Sequence, residues 1–352
     1  MPKHIFDGKN DDFFKSGKNA VGSGPFKVAD HSDTAFTKFA KHDTYNGSIK
    51  PAFTSMQWNV SVEAAARIGL LTAATGAVQI SDNIPQDQIE NLKSKGLTVQ
   101  GVDSMNMLGL AFNTSVAPFN DKRVRQALRM AIDSKKLIQL AIAGQGVPAS
   151  AFVQSTSPYY NKAKTQFDYN PEKAKALLAE AGVALPIEVR LMSSNIAWLQ
   201  SSVNTIKEGW DAIGVKTTLD VMETAQFNTK IAAGDKAQAA TFSGNPNQFG
   251  LDADLNIRWF YSPTSSFDPW NKWTQTPEYK DLDAKLMAAQ KESDPAKNKA
   301  LMNEILDILA DQGVIYPVMH MKLFTAWDPK KLDGVAALDI PGVNLLKAKR
   351  LA

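Results

Sequence analysis

Apolar side chains along this chain recur in two periods, and capping or turn residues mark where one period gives way to the other. From Asp121 onward, Val124, Leu128, Ala131 and Ile132 share one stripe of a 3.6-residue repeat, which predicts an amphipathic helix. Asn170 with Pro171 predicts a capped helix start and Gly182 its end, with Ala174, Leu177, Leu178 and Ala181 facing inward. A further helix is expected over Ser194 to Ile213, stopped by Gly214 and burying Val203, Ile206, Trp210 and Ile213. Asp294-Pro295 opens another and Gly313 closes it, with Leu301, Ile305, Ile308 and Leu309 as its stripe. Shorter helices are expected over Val62 to Ala74 and Gln86 to Lys95, ended by Gly76 and Gly96.

Between these lie apolar runs that read as strands: Met107 to Phe112, Ile187 to Met192, Val215 to Met222, Ala239 to Phe242 and Ile315 to Met321. The order Ile187–Met192, helix, Val215–Met222 reads as a βαβ crossover and predicts a mixed α/β lobe. Val21-Gly22-Ser23-Gly24-Pro25-Phe26 is a tight turn feeding a strand, and Asn46-Gly47 is another turn. Residues 7 to 19 are polar and read as an exposed helix or loop. No repeat of fixed period, low-complexity tract or flexible linker is evident.

Composition narrows the classes. The chain has 352 residues, 44% of them hydrophobic, enough for two or three lobes with real cores. Lys plus Arg number 39 against 36 Asp plus Glu, a net charge of +3, and no basic stripe marks a nucleic-acid face; Lys347 to Arg350 is a short basic tail. Cysteine is absent, which removes disulfide scaffolds, thiolate metal sites and cysteine nucleophiles together. No run approaches the roughly 18 apolar residues of a spanning helix. Met1-Pro2-Lys3-His4-Ile5-Phe6-Asp7 has no apolar signal region, so either the protein is cytosolic or its beginning is missing.

The search for chemistry finds no catalytic set. Of the four histidines, His4, His31, His42 and His320, no two stand at helical i, i+4 spacing, so no metal site is expected. Asp252-x-Asp254-x-Asn256 opens like a calcium loop, but Ile257 and Pro263 stand where the loop needs glycine and glutamate. Gly22-x-Gly24 and Gly144-x-Gly146 lack the third glycine of a dinucleotide fingerprint, and no phosphate loop or Gly-x-Ser-x-Gly elbow occurs. No cofactor is expected. The one chemical signal is the stretch from Phe242 to Trp273, which holds Phe242, Phe249, Trp259, Phe260, Tyr261, Phe267, Trp270 and Trp273 among amides and carboxylates. Pockets combine apolar walls with a few placed polar groups, and so does an irregular core, so any single ring fits either reading.

The order of these motifs resembles the family 5 extracellular solute-binding proteins, the peptide- and nickel-binding receptors of bacterial ABC importers. Val21-Gly22-Ser23-Gly24-Pro25-Phe26 is similar to the family's Val-Gly-Thr-Gly-Pro-Tyr turn. Tyr45-Asn46-Gly47 stands where the family has Tyr-Trp-Gly-Gly, and Ala73 to Ile80 resembles its Ser-Gly-Glu-Ile-Asp-Ile segment. The most specific piece runs from Phe112-Asn113 through Pro118-Phe119-Asn120-Asp121-Lys122-Arg123-Val124-Arg125-Gln126-Ala127 to Ala131-Ile132-Asp133. Tyr169 to Lys175, Leu177 to Gly182 and Asp294 to Lys297 continue the match, which spans about residues 20 to 340. By its residues the Arg-Val-Arg-Gln-Ala block is structural, with Asp121 capping the helix that Arg123 and Arg125 open.

The resemblance implies an α/β, two-lobe fold of the periplasmic-binding-protein type II, with mixed sheets flanked by helices and the first lobe incomplete. Residues 1–113 and 336–352 would form lobe I, its N-terminal part missing, and residues 114–335 lobe II, with hinge crossings near Asn113 and Asp333. It implies a non-catalytic, monomeric, periplasmic or extracytoplasmic protein that encloses a small or peptide ligand by hinge closure and delivers it to a membrane permease, without nucleic acid. Missing cleft wall would weaken its ligand affinity. The ligand-binding residues implied are Phe242, Ser243, Gly244, Asn245, Asp252, Asp254 and Trp259. Asn245 replaces the aspartate that in peptide-binding members pairs with the ligand's ammonium, and Phe242 the usual tryptophan. A neutral amide cannot supply that ion pair, so Asp252 or Asp254 would substitute. Two other classes stay open: a metal-independent enzyme acting on peptides, and an intracellular sensor reusing the same lobes.

Overall fold

The computed structural model describes residues 5, 7–9, 13, 17–48, 50–61, 63–244 and 252–351. It divides into two compact units, Met1–Val102 with Leu323–Ala352, and Asp103–Lys322.

In the first unit, β1 (Phe26–Ser32), β2 (Phe36–Lys41) and β3 (Ser55–Asn59) form an antiparallel sheet in that order. Phe39 lies opposite Val28 on one side and Met56 on the other, which puts these three apolar side chains on one face. Trp58 meets Phe39 edge-on at 5.1 Å between ring centroids. The helix α1 (Ala64–Thr72), the short strand β4 (Ile80–Ser81) and the helix α2 (Ile89–Ser94) follow. Their inward residues Ile68, Leu71, Ile84, Ile89 and Leu92 form a core with Phe324 and Ala326.

The chain leaves this unit within β5 (Thr98–Phe112) and returns within β10 (Ile315–Trp327). Both crossings therefore fall inside long strands, upstream of the positions near Asn113 and Asp333 suggested by the sequence. Both strands also run further than their apolar stretches implied. Polar residues at one end of β5 conceal its start, yet they are compatible with the sheet. Ser104, fully buried, donates through Oγ to Met321 O at 2.6 Å and accepts from Asn106 N at 3.1 Å.

The second unit is built on a sheet whose strands run in the order β10, β5, β9 (Ala239–Gly244), β7 (Ile187–Ser194) and β8 (Val215–Met222), with β6 (Gly146–Pro148) on the far side of β10. Strand β9 is antiparallel to β5 and parallel to β7, and β7 is parallel to β8, as the expected crossover requires. Alternation along each strand sends side chains to opposite faces. Leu108, Leu110, Phe112, Val189 and Leu191 meet one helical layer: α3 (Lys122–Met130), α4 (Ser134–Ile142), α5 (Pro171–Glu180) and α6 (Ala197–Asp211). Met107, Ala111, Met192, Ala240 and Phe242 meet the other: α7 (Thr224–Ala232), α8 (Ala253–Tyr261), α9 (Asp268–Asn271), α10 (Pro277–Lys291) and α11 (Pro295–Gln312). Mixed sheets flanked by helices are the architecture expected from the sequence.

Helix starts follow their capping residues. Asp121 accepts from Arg123 N, Asp133 from Lys136 N, Asn170 from Lys173 N, and Asp294 from Ala296 N and Lys297 N. The stripe of α11 is turned relative to expectation. Met302, Ile305, Leu306, Leu309 and Ala310 are buried, while Leu301 and Ile308 are half-buried. Two overlapping stripes satisfy the same period there, and packing against α10 selects between them.

Candidate functional site

In open α/β sheets the carboxyl ends of parallel strands are where ligands are held, because loops and helix starts converge there. In the second unit that edge is made by the ends of β7, β8 and β9. Strand β7 ends in Ser193 and Ser194, both buried, with Ser193 Oγ donating to Ser194 O at 3.2 Å. Beyond it, Asn195 N donates to Met222 O at 2.8 Å, and the Asn195 amide donates to the Glu223 carboxylate at the end of β8. Small and amide side chains thus line this rim.

Strand β9 brings Phe242, Ser243 and Gly244 to the same edge. Gly244 is pressed on Met107, and a Cβ there would stand 2.5 Å from Met107 Cγ. Ser243 is half-buried. Phe242 is buried, and its ring packs against Phe260 at 5.1 Å and Phe267 at 4.8 Å. Phe242 therefore forms part of the wall behind the edge. Asn245 and Phe249 lie outside the described residues.

The other proposed residues sit on α8. Asp252 caps it, accepting from Leu255 N at 3.0 Å. Asp254 holds Arg258 Nε with both carboxylate oxygens, at 3.1 and 2.9 Å. Trp259 is 46% exposed, one turn on from Leu255 on the same helix face. The remaining rings of the aromatic stretch are core. Phe260, Tyr261, Phe267, Trp270 and Trp273 are all buried, and Trp270 Nε1 donates to Ala237 O at 3.0 Å. The structure thus separates a packed aromatic cluster from one exposed tryptophan.

Three buried polar groups escaped the sequence reading. Arg125, 2% exposed, donates to the carbonyls of Phe119, Asn120 and Gln312. It stitches the segment before α3 to the end of α11, so its role in the Arg-Val-Arg-Gln-Ala block is tertiary as well as helical. Arg129 donates to the carbonyls of Tyr316 and Pro317. Burial pushes both guanidinium groups down to about 10, and both stay cationic at neutral pH. Their spacing on α3 signals one helix face, but nothing local signals that the face is inward. His320 is buried, its Nε2 is 3.2 Å from Ala151 O, and burial pushes its imidazole down to about 4. At the helix start, the hydrogen bond from Arg123 holds the Asp121 carboxyl below its usual range.

Among the described residues, cavities open on the second unit. One of about 490 Å³ lies over α10 and α11, lined by Glu278, Asp281, Asp307 and Asp311 among others. Another, of about 180 Å³, is lined in part by Arg129. Neither is lined by the end of β9 or by α8. Among the described residues no group of three or more histidines and carboxylates is placed to hold a metal, and no helix is long and apolar enough to cross a membrane.

This mixed α/β architecture is that of periplasmic binding proteins of the second type. Residues 1–268 match the family described as bacterial extracellular solute-binding proteins, family 5 Middle, and the chain belongs to that family. It is 28% identical over 326 residues to the glutathione-binding protein GsiB of Salmonella paratyphi A, covering 90% of this chain and 62% of that protein. The GsiB protein of Shigella dysenteriae is 27% identical over the same shares. The chain spans 62% of the length of these relatives. In fold it is similar to the ABC transporter substrate-binding protein CtaP of Listeria monocytogenes, with TM-score 0.84, 21% identity, and coverage of 100% of this chain and 72% of that one. It is also similar to a dipeptide-binding protein of a Pseudoalteromonas species in complex with Met-Leu, with TM-score 0.71, 21% identity, and coverage of 93% and 64%.

Proposed function

We propose that this chain serves an ABC importer outside the cytoplasm as its solute-binding component, taking up a small peptide or peptide-like solute and passing it to a membrane permease. The observation that carries this reading is the family match over residues 1–268. The solute class is supported by the relatives: one is named for glutathione, a tripeptide, and one fold neighbour holds a dipeptide. The binding step is closure of two lobes on the solute, which shifts the protein toward a closed state by contacts made only there. The family is one of solute-binding proteins, so the chain is read as a binding protein, a monomer in this proposal, rather than a peptide-acting enzyme or a sensor.

The ligand-binding set is Ser243, Gly244, Asn245, Asp252, Asp254 and Trp259, backed by Phe242, whose ring is buried. Within it, Trp259 offers exposed aromatic area, and Ser243 and Gly244 offer backbone and hydroxyl hydrogen bonds at a strand end. Phe242 supports that end from behind. Arg258 engages both oxygens of Asp254, whereas Asp252 uses only one, on Leu255 N–H, so Asp252 is the carboxylate assigned to a peptide ammonium.

Calorimetric titration of the purified chain with Met-Leu and with glutathione tests the reading, with mass spectrometry of the ligand afterwards. Saturable one-to-one binding with the ligand recovered intact is expected. Failure of both to bind, or their turnover, overturns it.

A further inference from the structure

The chain contains one Asn-Gly dipeptide, Asn46-Gly47, which the solute-binding reading does not use. It lies between β2 and β3, outside both strands. Asn46 is exposed, and among the described residues its side-chain amide meets no hydrogen-bond partner. The Gly47 N–H is likewise uncommitted among them. Glycine at this position is built into the loop, because a Cβ would stand 1.9 Å from Tyr45 Oη and 2.1 Å from Tyr45 Cζ. Tyr45 is itself held: Lys50 Nζ donates to Tyr45 O at 2.6 Å and lies 5.2 Å from the ring centroid.

Asparagine is among the thermolabile residues, because its side-chain carbonyl carbon can be attacked by the backbone nitrogen of the next residue, closing a five-membered imide. Three things oppose that attack. A side chain on the following residue crowds the approach, a hydrogen bond holds its N–H, and a strand or helix fixes the backbone away from the folded-back geometry. None of the three acts at Asn46, and glycine adds the backbone freedom the closure needs. Asn59, at the end of β3 in the same sheet, is the contrast. It is exposed too, but β-branched Val60 follows it, Val60 N donates to Ala35 O at 2.8 Å, and Asn59 Oδ1 accepts from the Gln57 amide at 2.7 Å.

We propose that Asn46 is a site of spontaneous deamidation. The Gly47 nitrogen gives its proton to solvent and attacks Asn46 Cγ. The N–Cγ bond forms, the Cγ–Nδ2 bond breaks, and the departing nitrogen takes up a proton and leaves as ammonia. Water then opens the imide at either carbonyl, giving aspartate when the new N–Cγ bond is cut and isoaspartate when the original peptide bond is cut. Both products add a carboxylate to the loop, and isoaspartate also adds one backbone carbon between β2 and β3. The chemistry does not depend on the function proposed above.

The test incubates the whole chain, folded and urea-unfolded, in mildly alkaline buffer. Mass spectrometry with fragmentation follows the exchange of amide for acid, locates it to the residue and separates aspartate from isoaspartate. A mixture of the two at position 46 is expected, forming faster as pH rises because the attacking nitrogen must lose its proton. In the folded chain Asn59 should convert at least about tenfold more slowly, and folding should slow Asn46 by less than about tenfold. Asn46→Gln, which would have to close a six-membered ring, should remove the acidic species. The proposal is overturned if position 46 stays an amide, if Asn59 keeps pace with it, or if folding protects Asn46 more strongly than that.

Discussion

Gly109 and Phe242 stand directly opposite each other on β5 and β9, and the Phe242 ring fills the space that a side chain at position 109 would take. A Cβ on residue 109 would lie 2.2 Å from Phe242 Cζ. The glycine is there to let the ring lie flat against the sheet, where it meets Phe260 and Phe267. Gly109→Ala must displace that ring and is expected to cost about 1–3 kcal/mol in chemical denaturation. Phe242→Leu should relieve the clash. The double variant is therefore expected to be less destabilised than the sum of the singles by more than about 0.5 kcal/mol, and simple additivity would contradict the contact.

Gly209 on α6 makes a similar test against backbone. A Cβ there would stand 2.1 Å from Ala131 O, beside the helix terminus where Trp210 Nε1 donates to Leu128 O at 2.8 Å. Helix propensity alone favours Gly→Ala by about 1 kcal/mol. The clash is with a carbonyl that cannot rotate away, so the steric cost of about 3 kcal/mol wins. Gly209→Ala should lower the unfolding midpoint; an unchanged or raised midpoint would place α6 further from Ala131 than described.

His320 makes the second unit acid-sensitive. Its folded pKa, about 4, lies below the ordinary 6.5 because the imidazole is buried, an effect that Ala151 O and Asp103 oppose without cancelling. The unfolded chain therefore binds the proton first as pH falls. Stability is complete above pH 6.5 and declines as pH drops through 4, by about 3 kcal/mol from this residue. Urea unfolding of the wild type and His320→Gln between pH 7 and 4 measures it. The variant should show the shallower pH dependence, and equal slopes would remove His320 from the explanation.

Trp259 separates binding from stability. With 46% of its surface exposed, its truncation should change stability by less than about 1 kcal/mol. At a peptide-binding surface a tryptophan anchor is worth about 2 kcal/mol or more, so Trp259→Ala should weaken Met-Leu or glutathione binding by at least tenfold. Calorimetry beside thermal unfolding distinguishes the two. Unchanged affinity would remove Trp259 from the ligand-binding set.

Local interactions made much of the architecture legible in the residues themselves. Asp121, Asn170 and Asp294 start helices by accepting neighbouring N–H groups. Gly182 and Gly313 end them at φ +69 and +57, where only glycine is unstrained. The parallel pairing of β7 with β8 followed from one helix between two apolar runs. Such features depend on residues a few positions apart, and a linear chain displays them directly.

The remainder depended on which distant segments meet. Ser104 can stay inside β5 because Met321 O accepts its hydroxyl. The rings around Phe242 have the same chemistry whether they line a pocket or a core; Gly109 opposite that ring is what packs it inward, while Trp259 on the same stretch stays exposed. Arg129 reads along the chain as one basic residue of an amphipathic helix. Its burial was decided by Tyr316, Pro317 and Phe167, brought to it from elsewhere in the fold. Periodicity records which side of an element is apolar, but the partner that side will meet, and the charge it must accommodate, exist only once the layers have packed.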